Sequence, residues 1–427
     1  MSASVQMPIP PQLHAEIVAA YRSGDLIQAL ERIERWLLIV PEAWDARLQA
    51  GVWSLSLGQA GRAEAHFRLA AAHPDESGQA QAWQGLGKAL HDQGRLDAAE
   101  AVFRQARAVD PVPALADYHI GLCRLLRGDF QNGWPGYEQR LHVPAFRHRT
   151  LDRPRWQGEE LSGGRLLILA EQGFGDVIQM VRFVPELVSR FSATQIVLET
   201  PQELWSLFQC LTPGVSLFPL GVKLEPGPKD RFVAVASLAG ILKIDQERLP
   251  GRMPYLAASR KRVDDWNRFF GTHRPAVGVC WAGRASHPQD GSRSCFPEYF
   301  SALARIPGVH LFRMQKEMDR RWQPLPGTEN LFVADLAPQM SDFAETAAMV
   351  AALDLVITVD TSLAHLAGAL QRPVWLLLPH VPDWRWLLDG EHSPWYPSMR
   401  LFRQTRTGGW PELFERVAGA WQQAQSH

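Results

Sequence analysis

The stretch DLVITVDTSLAHLAGALQRPVWLLLP, residues 354–379, has two apolar runs on either side of an alanine-rich helical segment. The runs 354–360 and 373–379 are rich in Val, Ile and Leu and have the length of buried strands. Two strands joined through a helix form a parallel pair whose faces are both covered. The stretch therefore predicts a parallel α/β sheet.

The same alternation continues on the N-terminal side of this stretch. Further strands are predicted at 165–170, 194–200, 232–237, 276–283, 309–315 and 330–335. Helical segments fall between them, among them 176–190, 263–270 and 342–353. The pattern predicts two Rossmann-like α/β domains, residues 165–272 and 273–427, with a ligand cleft at the carboxyl ends of their strands.

The first 140 residues repeat a helical pattern instead. Four glycines are spaced 34, 36 and 34 residues apart: Gly24, Gly58, Gly94 and Gly128. In the clearest unit, 82–111, Ala99 and Phe103 follow the turn glycine where two helices would touch. Three units end on a proline: Pro41, Pro74 and Pro111. This period predicts a stack of helix pairs over 12–140, whose concave groove either holds a peptide or braces the next domain.

Residues 141–164 join the repeats to the first sheet and are dense in Trp, Arg and Pro. We expect a packed connector here, because such a segment is too aromatic for a flexible tether. The predicted fold class is thus α plus α/β.

The composition of the 427 residues excludes several classes of function. Lys+Arg number 44 and Asp+Glu 45, a net charge of −1, so no global basic field indicates nucleic acid as a partner. The apolar runs are too short for a membrane span, and the first residues lack the features of a secretory signal, so we expect a cytoplasmic location. The four cysteines have no CxxC spacing, so they indicate neither a zinc site nor a disulfide framework: Cys123, Cys210, Cys280 and Cys295.

The first candidate site is EQGFGDVIQ, residues 171–179, which follows a predicted strand and begins a helix. Gly173 and Gly175 allow a tight turn and a close approach of the backbone to a ligand. Asp176 lies at the helix start, where backbone N–H groups hold a carboxylate. The pattern is also that of an ordinary capped helix, and its GxGD spacing differs from the dinucleotide-binding fingerprint.

The second candidate is VDTSLAHLAGAL, residues 359–370. Asp360 ends a strand, and the amides and hydroxyls of Thr361 and Ser362 open the next helix where a phosphate would bind. His365 lies one turn further on the face of Thr361, where it can add a hydrogen-bond donor or a positive charge. A capped helix with a packed histidine explains each residue alone, but their combination at a strand end favours a phosphate site.

Two further segments contain candidate ligand contacts. The loop 281–300 carries Arg284 and Arg293, which can neutralise a diphosphate, and we prefer Arg293. Gln315, at the end of the next predicted strand, can contact a base or a ribose. The alternative for this loop is a solvated surface. The tryptophans of 376–404 can stack on a sugar, but such aromatic residues more often pack in a core.

The motifs together resemble a known group of bacterial proteins. EQGFGDVIQ, the WAG…D…RS loop, VDTSLAHLAGAL and the DWRWLL…SPWYPS…RLFRQ segment are similar to tetratricopeptide-repeat proteins with a family 9-like, heptosyltransferase-like glycosyltransferase domain. The resemblance covers nearly the whole chain, repeats included. It implies the GT-B arrangement: a tetratricopeptide (TPR) solenoid, a first Rossmann-like domain on the acceptor side, and a second that binds a nucleotide sugar.

The resemblance also implies the chemistry. Heptosyltransferases invert the anomeric centre without a metal or cofactor, and their catalytic base is the aspartate after the glycine loop, which is Asp176 here. Their donor-phosphate contacts correspond to residues of the second and third motifs: Asp360, Thr361, Ser362, His365 and Arg293. Ser362 stands where heptosyltransferases carry Gly, and Arg293 where they carry Lys. The identities of the sugar and the nucleotide therefore stay open.

Three functions are compatible with these observations. The first is a glycosyltransferase that modifies Ser or Thr of a protein recruited by the repeats, since some proteins of this layout modify surface proteins such as flagellin. The second has the same chemistry with a lipopolysaccharide or lipid-linked sugar as acceptor. The third is an inactive adaptor that keeps the GT-B part as a scaffold. The charged residues of the motifs favour an active enzyme, because an inactive scaffold has no physical need for them in a cleft.

Overall fold

The computed structural model describes residues 9–72, 75–110, 112–146, 149–211, 213–287, 289–318, 322–325 and 328–425. The chain divides into two compact units, Met1–His148 and Arg149–His427. The division falls inside the segment 141–164 that the sequence indicates as a connector.

The first unit consists of helices arranged as consecutive pairs. Eight α-helices are present among its described residues: α1 (Pro11–Arg22), α2 (Leu26–Ile39), α3 (Trp44–Ser56), α4 (Ala60–Ala70), α5 (Glu76–Asp92), α6 (Leu96–Val109), α7 (Ala114–Leu126) and α8 (Phe130–Glu138). Each of the four predicted glycines lies in the turn inside a pair and has a positive φ of 71° to 82°. This backbone conformation favours glycine, so the 34-residue spacing reflects a turn that recurs in each pair.

Small residues let the paired helices approach closely. Ala99 and Phe103 of α6 are fully or almost fully buried. A Cβ atom on Gly87 of α5 would overlap the ring of Phe103, and one on Gly85 would overlap the ring of Phe67. The glycines thus form the sockets for the aromatic rings of neighbouring helices, which confirms the predicted TPR-like stack. Of the predicted terminating prolines, Pro74 and Pro111 lie outside the described residues.

The second unit contains two parallel sheets. The four-stranded sheet has the order β3-β2-β1-β4 and is formed by β1 (Arg165–Leu169), β2 (Gln195–Thr200), β3 (Val215–Pro219) and β4 (Arg231–Ala234). With it we group four helices as the first lobe: α9 (Phe174–Met180), α10 (Val184–Arg190), α11 (Trp205–Phe208) and α12 (Leu238–Ile241).

The second sheet has six strands in the order β10-β9-β8-β5-β6-β7. They are β5 (Ala276–Cys280), β6 (His310–Arg313), β7 (Ala334–Asp335), β8 (Leu355–Val359), β9 (Val374–Leu378) and β10 (Met399–Arg403). The second lobe is completed by α13 (Arg260–Phe270), α14 (Asp290–Arg293), α15 (Ser301–Ala304), α16 (Phe343–Ala352), α17 (Ser362–Ala369) and α18 (Trp410–Gln425). Both sheets have the order of a Rossmann-like fold, which confirms the predicted α plus α/β class and GT-B arrangement.

The structure differs from the sequence-based expectations at the sheet edges. The edge strands β3 and β10 were not predicted, because their apolar residues are interrupted by polar ones and do not form a continuous buried run. Of the predicted strand 330–335, only Ala334–Asp335 pairs, and Glu329–Leu331 forms a 3-10 turn. The predicted helix 176–190 starts at Phe174 and is divided by a 3-10 turn, Val181–Phe183.

No helix among the described residues is both long and apolar enough to cross a membrane.

Candidate functional site

The candidate site lies where loops from both lobes meet at the carboxyl ends of the strands. In each sheet, the connections that follow two neighbouring strands run in opposite directions. These strands are β1 and β4 in the first sheet and β5 and β8 in the second. Parallel sheets bind ligands at such a switch point. The loop after β1 leads to Asp176, the loop after β5 to Arg293, and the loop after β8 to Thr361.

Helices α9 and α17 pass very close to each other at this point. A Cβ atom on Gly175 would lie 2.8 Å from Cδ2 of His365 and 3.4 Å from Cα of Ser362. Gly175 therefore permits the contact between the EQGFGDVIQ and VDTSLAHLAGAL motifs, rather than only an approach to a ligand. Gly173 is the N-cap of α9 in an extended conformation.

Asp176 lies in the first turn of α9 with its carboxylate four-fifths buried. Its Oδ2 accepts a hydrogen bond from the backbone N–H of Gly173 at 2.8 Å, and its Oδ1 accepts one from Arg385 at 2.5 Å. Burial raises the pKa of Asp176 above its usual value, while the charge of Arg385 and the Gly173 hydrogen bond act in the opposite direction. The carboxylate is thus held by one backbone amide and one guanidinium.

Arg385 is the residue of this site that the sequence did not indicate. It is 6% exposed and belongs to the segment 376–404, in a 3-10 turn (Trp384–Trp386) after β9. Besides Asp176, its guanidinium donates to Oε1 of Gln179 at 2.7 Å and to Oδ1 of Asp383 at 2.8 Å. The available signal was an arginine between two tryptophans, two residues after an aspartate.

The N-terminus of α17 contains the predicted phosphate contacts. Thr361 is the N-cap in an extended conformation, its side chain forms no capping hydrogen bond, and Ser362 is the first helical residue. Oγ1 of Thr361 is instead hydrogen-bonded to Oγ1 of Thr358 at 3.1 Å. Burial and the nearby carboxylate of Asp383 raise the pKa of Asp360 to about 6, while Arg293 lowers it. The helix start therefore presents backbone amides that a side chain does not cap.

His365 is buried behind this helix start. Its Nδ1 is hydrogen-bonded to the hydroxyl of Tyr396 at 2.9 Å, and its ring stacks on Trp386 with centroids 5.2 Å apart. Its Nε2 lies 4.0 Å from Oδ1 of Asp360. Burial, together with nearby arginines, lowers the pKa of His365 well below its usual value. The imidazole is therefore neutral at pH 7, and its environment does not support the positive charge that the sequence allowed.

Arg293 lies at the end of α14, in a loop held by buried hydrogen bonds. Oγ of Ser294 donates to Asp290 at 2.7 Å and accepts from the N–H of Gly283 at 3.0 Å. A Cβ atom on Gly283 would overlap the guanidinium of Arg293. The buried Nε of Arg293 donates no hydrogen bond within the described part of the chain. Its charge lowers the pKa of Asp360, which directly precedes the N-cap of α17.

Gln315 is buried and holds the loop after β5 in place. Its Oε1 accepts from the N–H groups of Trp281 and Ala282 at 3.0 and 2.9 Å. Its Nε2 donates to the carbonyl groups of Ala282 and Glu317 at 3.0 and 2.6 Å. Because its amide is fully used within the protein, Gln315 acts here as a support of the loop, and its contact with a donor stays a prediction.

A cavity of about 760 Å³ opens beside this loop, between residues that follow β5 and β6: Arg284, Ala285, Ser286, Lys316, Glu317, Met318 and Gln323. The tryptophans of 376–404 are not among the residues that line this cavity, and Trp384, Trp386 and Trp395 are at most 4% exposed. They pack in the core, as the sequence favoured.

The described residues contain no group of three or more His, Cys, Asp or Glu side chains that could hold a metal ion. Metal-independent chemistry, however, stays a prediction.

Comparison with known proteins finds a family model that matches part of the chain. Residues 230–377 match the model of Glycosyltransferase family 9 (heptosyltransferase). This range includes Arg293, Gln315, Asp360 and His365, and it ends before Arg385.

One curated protein and two solved structures illustrate the wider similarity. Protein FlbA of Caulobacter vibrioides is 26% identical over 426 residues, which covers 92% of this chain and 69% of FlbA. The glycosyl transferase family 9 from Veillonella parvula is 11% identical with a TM-score of 0.45, covering 63% of this chain and 99% of that chain. MamA is 21% identical with a TM-score of 0.29, covering 33% and 78%. These TM-scores are too low to support an assignment, which rests on the family match.

The family match covers the loops that carry Arg293 and the start of α17, and the N-terminal unit is a stack of TPR-like helix pairs. Residues 230–377 therefore belong to a glycosyltransferase family 9 domain, which follows the repeats in the sequence, and the protein is a glycosyltransferase.

Proposed function

We propose that the protein transfers a sugar from a nucleotide-sugar donor to a hydroxyl of a protein, with inversion and without a metal, and that Asp176 is the general base. The observation that carries this proposal is the meeting of α9 and α17. It brings a carboxylate of the first lobe next to an uncapped helix N-terminus and the half-buried guanidinium of Arg293 in the second lobe.

The donor phosphates bind at the start of α17 in this proposal. The backbone amides at Thr361 and Ser362 and the guanidinium of Arg293 are suited to an anion. The cavity after β5 and β6 is of a size to hold the nucleoside. Asp360 directly precedes this helix start, and its pKa of about 6 reduces its negative charge relative to an ordinary aspartate.

The reaction is a single displacement at the anomeric carbon. Asp176 accepts the proton of the acceptor hydroxyl, whose oxygen forms the new bond to the anomeric carbon from the face opposite the nucleotide. The bond from that carbon to the phosphate oxygen breaks, and its electron pair leaves with the nucleotide. Arg293 and the helix N-terminus stabilise the negative charge that develops on the leaving phosphate.

We propose a Ser or Thr hydroxyl of a flagellin-like surface protein as the acceptor, bound through the groove of the helical repeats. The support is the presence of the repeats in the same chain, since stacked helix pairs form concave surfaces suited to extended or helical peptides.

The donor site is tested first by thermal unfolding of the full chain with UDP, GDP, ADP, TDP and CMP. One nucleotide is expected to raise the melting temperature. In Arg293→Ala its affinity should fall roughly ten- to hundredfold, because a hydrogen bond to a charged group contributes about 1.5–3 kcal/mol. Arg305→Ala, an exposed arginine of the same lobe, is the matched control. If no nucleotide changes the melting temperature, the adaptor function is favoured instead.

The base is tested with the donor so identified. Asp176→Ala should lower the transfer rate by roughly 10²- to 10⁴-fold and leave nucleotide affinity nearly unchanged. Asp25→Ala, which removes the N-cap carboxylate of α2, should leave the rate unchanged. The acceptor residues are identified by mass spectrometry of Ser- and Thr-containing peptides from a co-expressed flagellin. A rate retained in Asp176→Ala would exclude Asp176 as the base.

A further inference from the structure

We propose that Arg385 is a positioning residue of the transferase site. From the donor-binding lobe it holds the carboxylate of Asp176 in its charged, proton-accepting form and in one orientation. This inference rests on the proposed role of Asp176, and no motif of the sequence assigned it.

Arg385 connects the two lobes at the proposed base. It follows β9 of the second lobe, whereas both Asp176 and Gln179 lie on α9 of the first lobe. These two partners are three residues apart and therefore lie on neighbouring positions of one helix face. Arg385 reaches them through different nitrogens, NH2 and Nε, so the guanidinium plane is fixed by two contacts at once.

The second lobe fixes the same guanidinium independently. Asp383 accepts a hydrogen bond from NH1 of Arg385 at 2.8 Å and from its backbone N–H at 3.1 Å. The guanidinium also lies over the ring of Trp384, 4.3 Å from the centroid. Because Gln179, Asp383 and the ring of Trp384 already hold this arginine, it loses little further freedom when it orients Asp176.

The charged groups around Asp176 make its charge depend on Arg385. Glu171 before α9 and Asp383 after β9 are both acidic, and both raise the pKa of Asp176 in addition to burial. On α17 His365 is neutral, and Asp360, which directly precedes the N-cap of this helix, is acidic. Arg385 is the cation in contact with the carboxylate, so its removal leaves a buried carboxylate among acidic neighbours. Such a group takes up a proton and stops being a base.

The segment offers a matched control in Arg403. This arginine of β10 donates to the backbone carbonyl groups of Trp386 and Leu387 at 2.6 and 2.9 Å, so it holds the same turn as Arg385. It has no ion pair with Asp176 among the described contacts. Arg403→Gln therefore loosens the turn without removing the charge next to the base.

The test compares Arg385→Gln with Arg403→Gln in the full chain. The pKa of Asp176 is measured by carbon NMR of the carboxyl groups, assigned with Asp176→Asn, and the pH dependence of the transfer rate is measured in parallel. In Arg385→Gln we expect the pKa and the acidic limb of the rate profile to move upward together. The rate at pH 7 should fall by roughly tenfold or more, with unchanged affinity for the stabilising nucleotide. In Arg403→Gln neither the pKa of Asp176 nor the acidic limb of the rate profile should move.

Two results would overturn the inference. One is an Arg385→Gln variant in which neither the pKa of Asp176 nor the rate profile moves. The other is a loss of nucleotide affinity as large as in Arg293→Ala with an unmoved profile, which would make Arg385 a phosphate ligand. Failure of the proposed function looks different, because there Asp176→Ala keeps its transfer rate while the NMR titration still reports the ion pair.

Discussion

The helical unit and the transferase site are stabilised in opposite ways. In the helical unit, buried Ala, Phe and Leu side chains pack between helices that are neighbours in the sequence, as in the pair α5 and α6. In the site, the buried groups are charged or polar, and Arg385 contacts partners 206 and 209 residues away. Apolar packing lowers the free energy of the fold directly, whereas buried charge is retained at a cost in stability. Truncating a buried apolar side chain of the helical unit should therefore destabilise the fold, whereas neutralising a buried charge of the site should stabilise it.

The largest effect on stability is expected from Phe103→Ala in the helical unit. Phe103 is 1% exposed and fills the socket above Gly87, so its loss leaves a cavity and should cost about 3–5 kcal/mol of unfolding free energy. Hydrogen exchange of the full chain should show faster exchange in α5 and α6. Leu69→Ala, at a half-exposed position, is the control. Equal acceleration in β5, β8 and β9 would contradict the division into two units.

Asp360→Asn in the site is expected to stabilise the fold, in contrast to Phe103→Ala. The pKa of Asp360 is about 6 in the folded chain and about 3.8 unfolded, so the folded state holds the proton more tightly. The contribution of Asp360 to the free energy of unfolding is therefore fully present below pH 3.8 and is lost as the pH rises through 6. Asparagine carries no charge, so the variant should be more stable at pH 7.5, by up to about 3 kcal/mol. Thermal unfolding at pH 7.5 and 4 checks this, and a gain that persists unchanged at pH 4 would contradict it.

A smaller loss is expected from Gly175→Ala, which tests the crossing of α9 and α17. The added Cβ atom would lie 2.8 Å from His365, so the helices must separate at a cost of about 2 kcal/mol. The transfer rate should fall as well, because the distance between Asp176 and the start of α17 changes. Thermal unfolding and the rate are measured together. An unchanged rate would show that the two motifs do not need this contact.

The smallest effect belongs to Gly419→Ala, the control for Gly175→Ala. Gly419 lies inside α18, and a Cβ atom there meets no other atom within 4 Å. Alanine should therefore stabilise the helix by about 0.5–1 kcal/mol and leave the transfer rate unchanged. A destabilised Gly419→Ala variant would mean that the loss in Gly175→Ala does not report the crossing of the helices.

The sequence was most informative where its own period repeats. The turn glycines, of which Gly94 is the clearest example, predicted each helix pair, because a left-handed turn position selects glycine whatever surrounds it. The continuous apolar runs likewise predicted the central strands β5, β8 and β9, which are buried on both faces. The edge strands β3 and β10 were missed because polar residues interrupt their apolar runs.

The candidate site was predicted only in part. Asp176, Asp360 and Thr361 follow strand ends, and this local signal was enough to select them. Gln315 was selected by the same signal, yet its amide is used to hold the loop after β5. The sequence cannot distinguish a polar side chain that contacts a ligand from one that holds a loop of its own protein. The difference depends on which residues from distant parts of the chain lie next to it.

The sequence by itself determined the helical repeats, the two parallel sheets and the strand ends at which a phosphate site is expected, because these follow from period, burial and turn geometry over a few residues. The tertiary structure alone decided that Gly175 touches His365, that His365 is neutral and that Arg385 meets Asp176. These contacts join residues far apart in the chain, and the charge of each group is set by its burial and its neighbours in space.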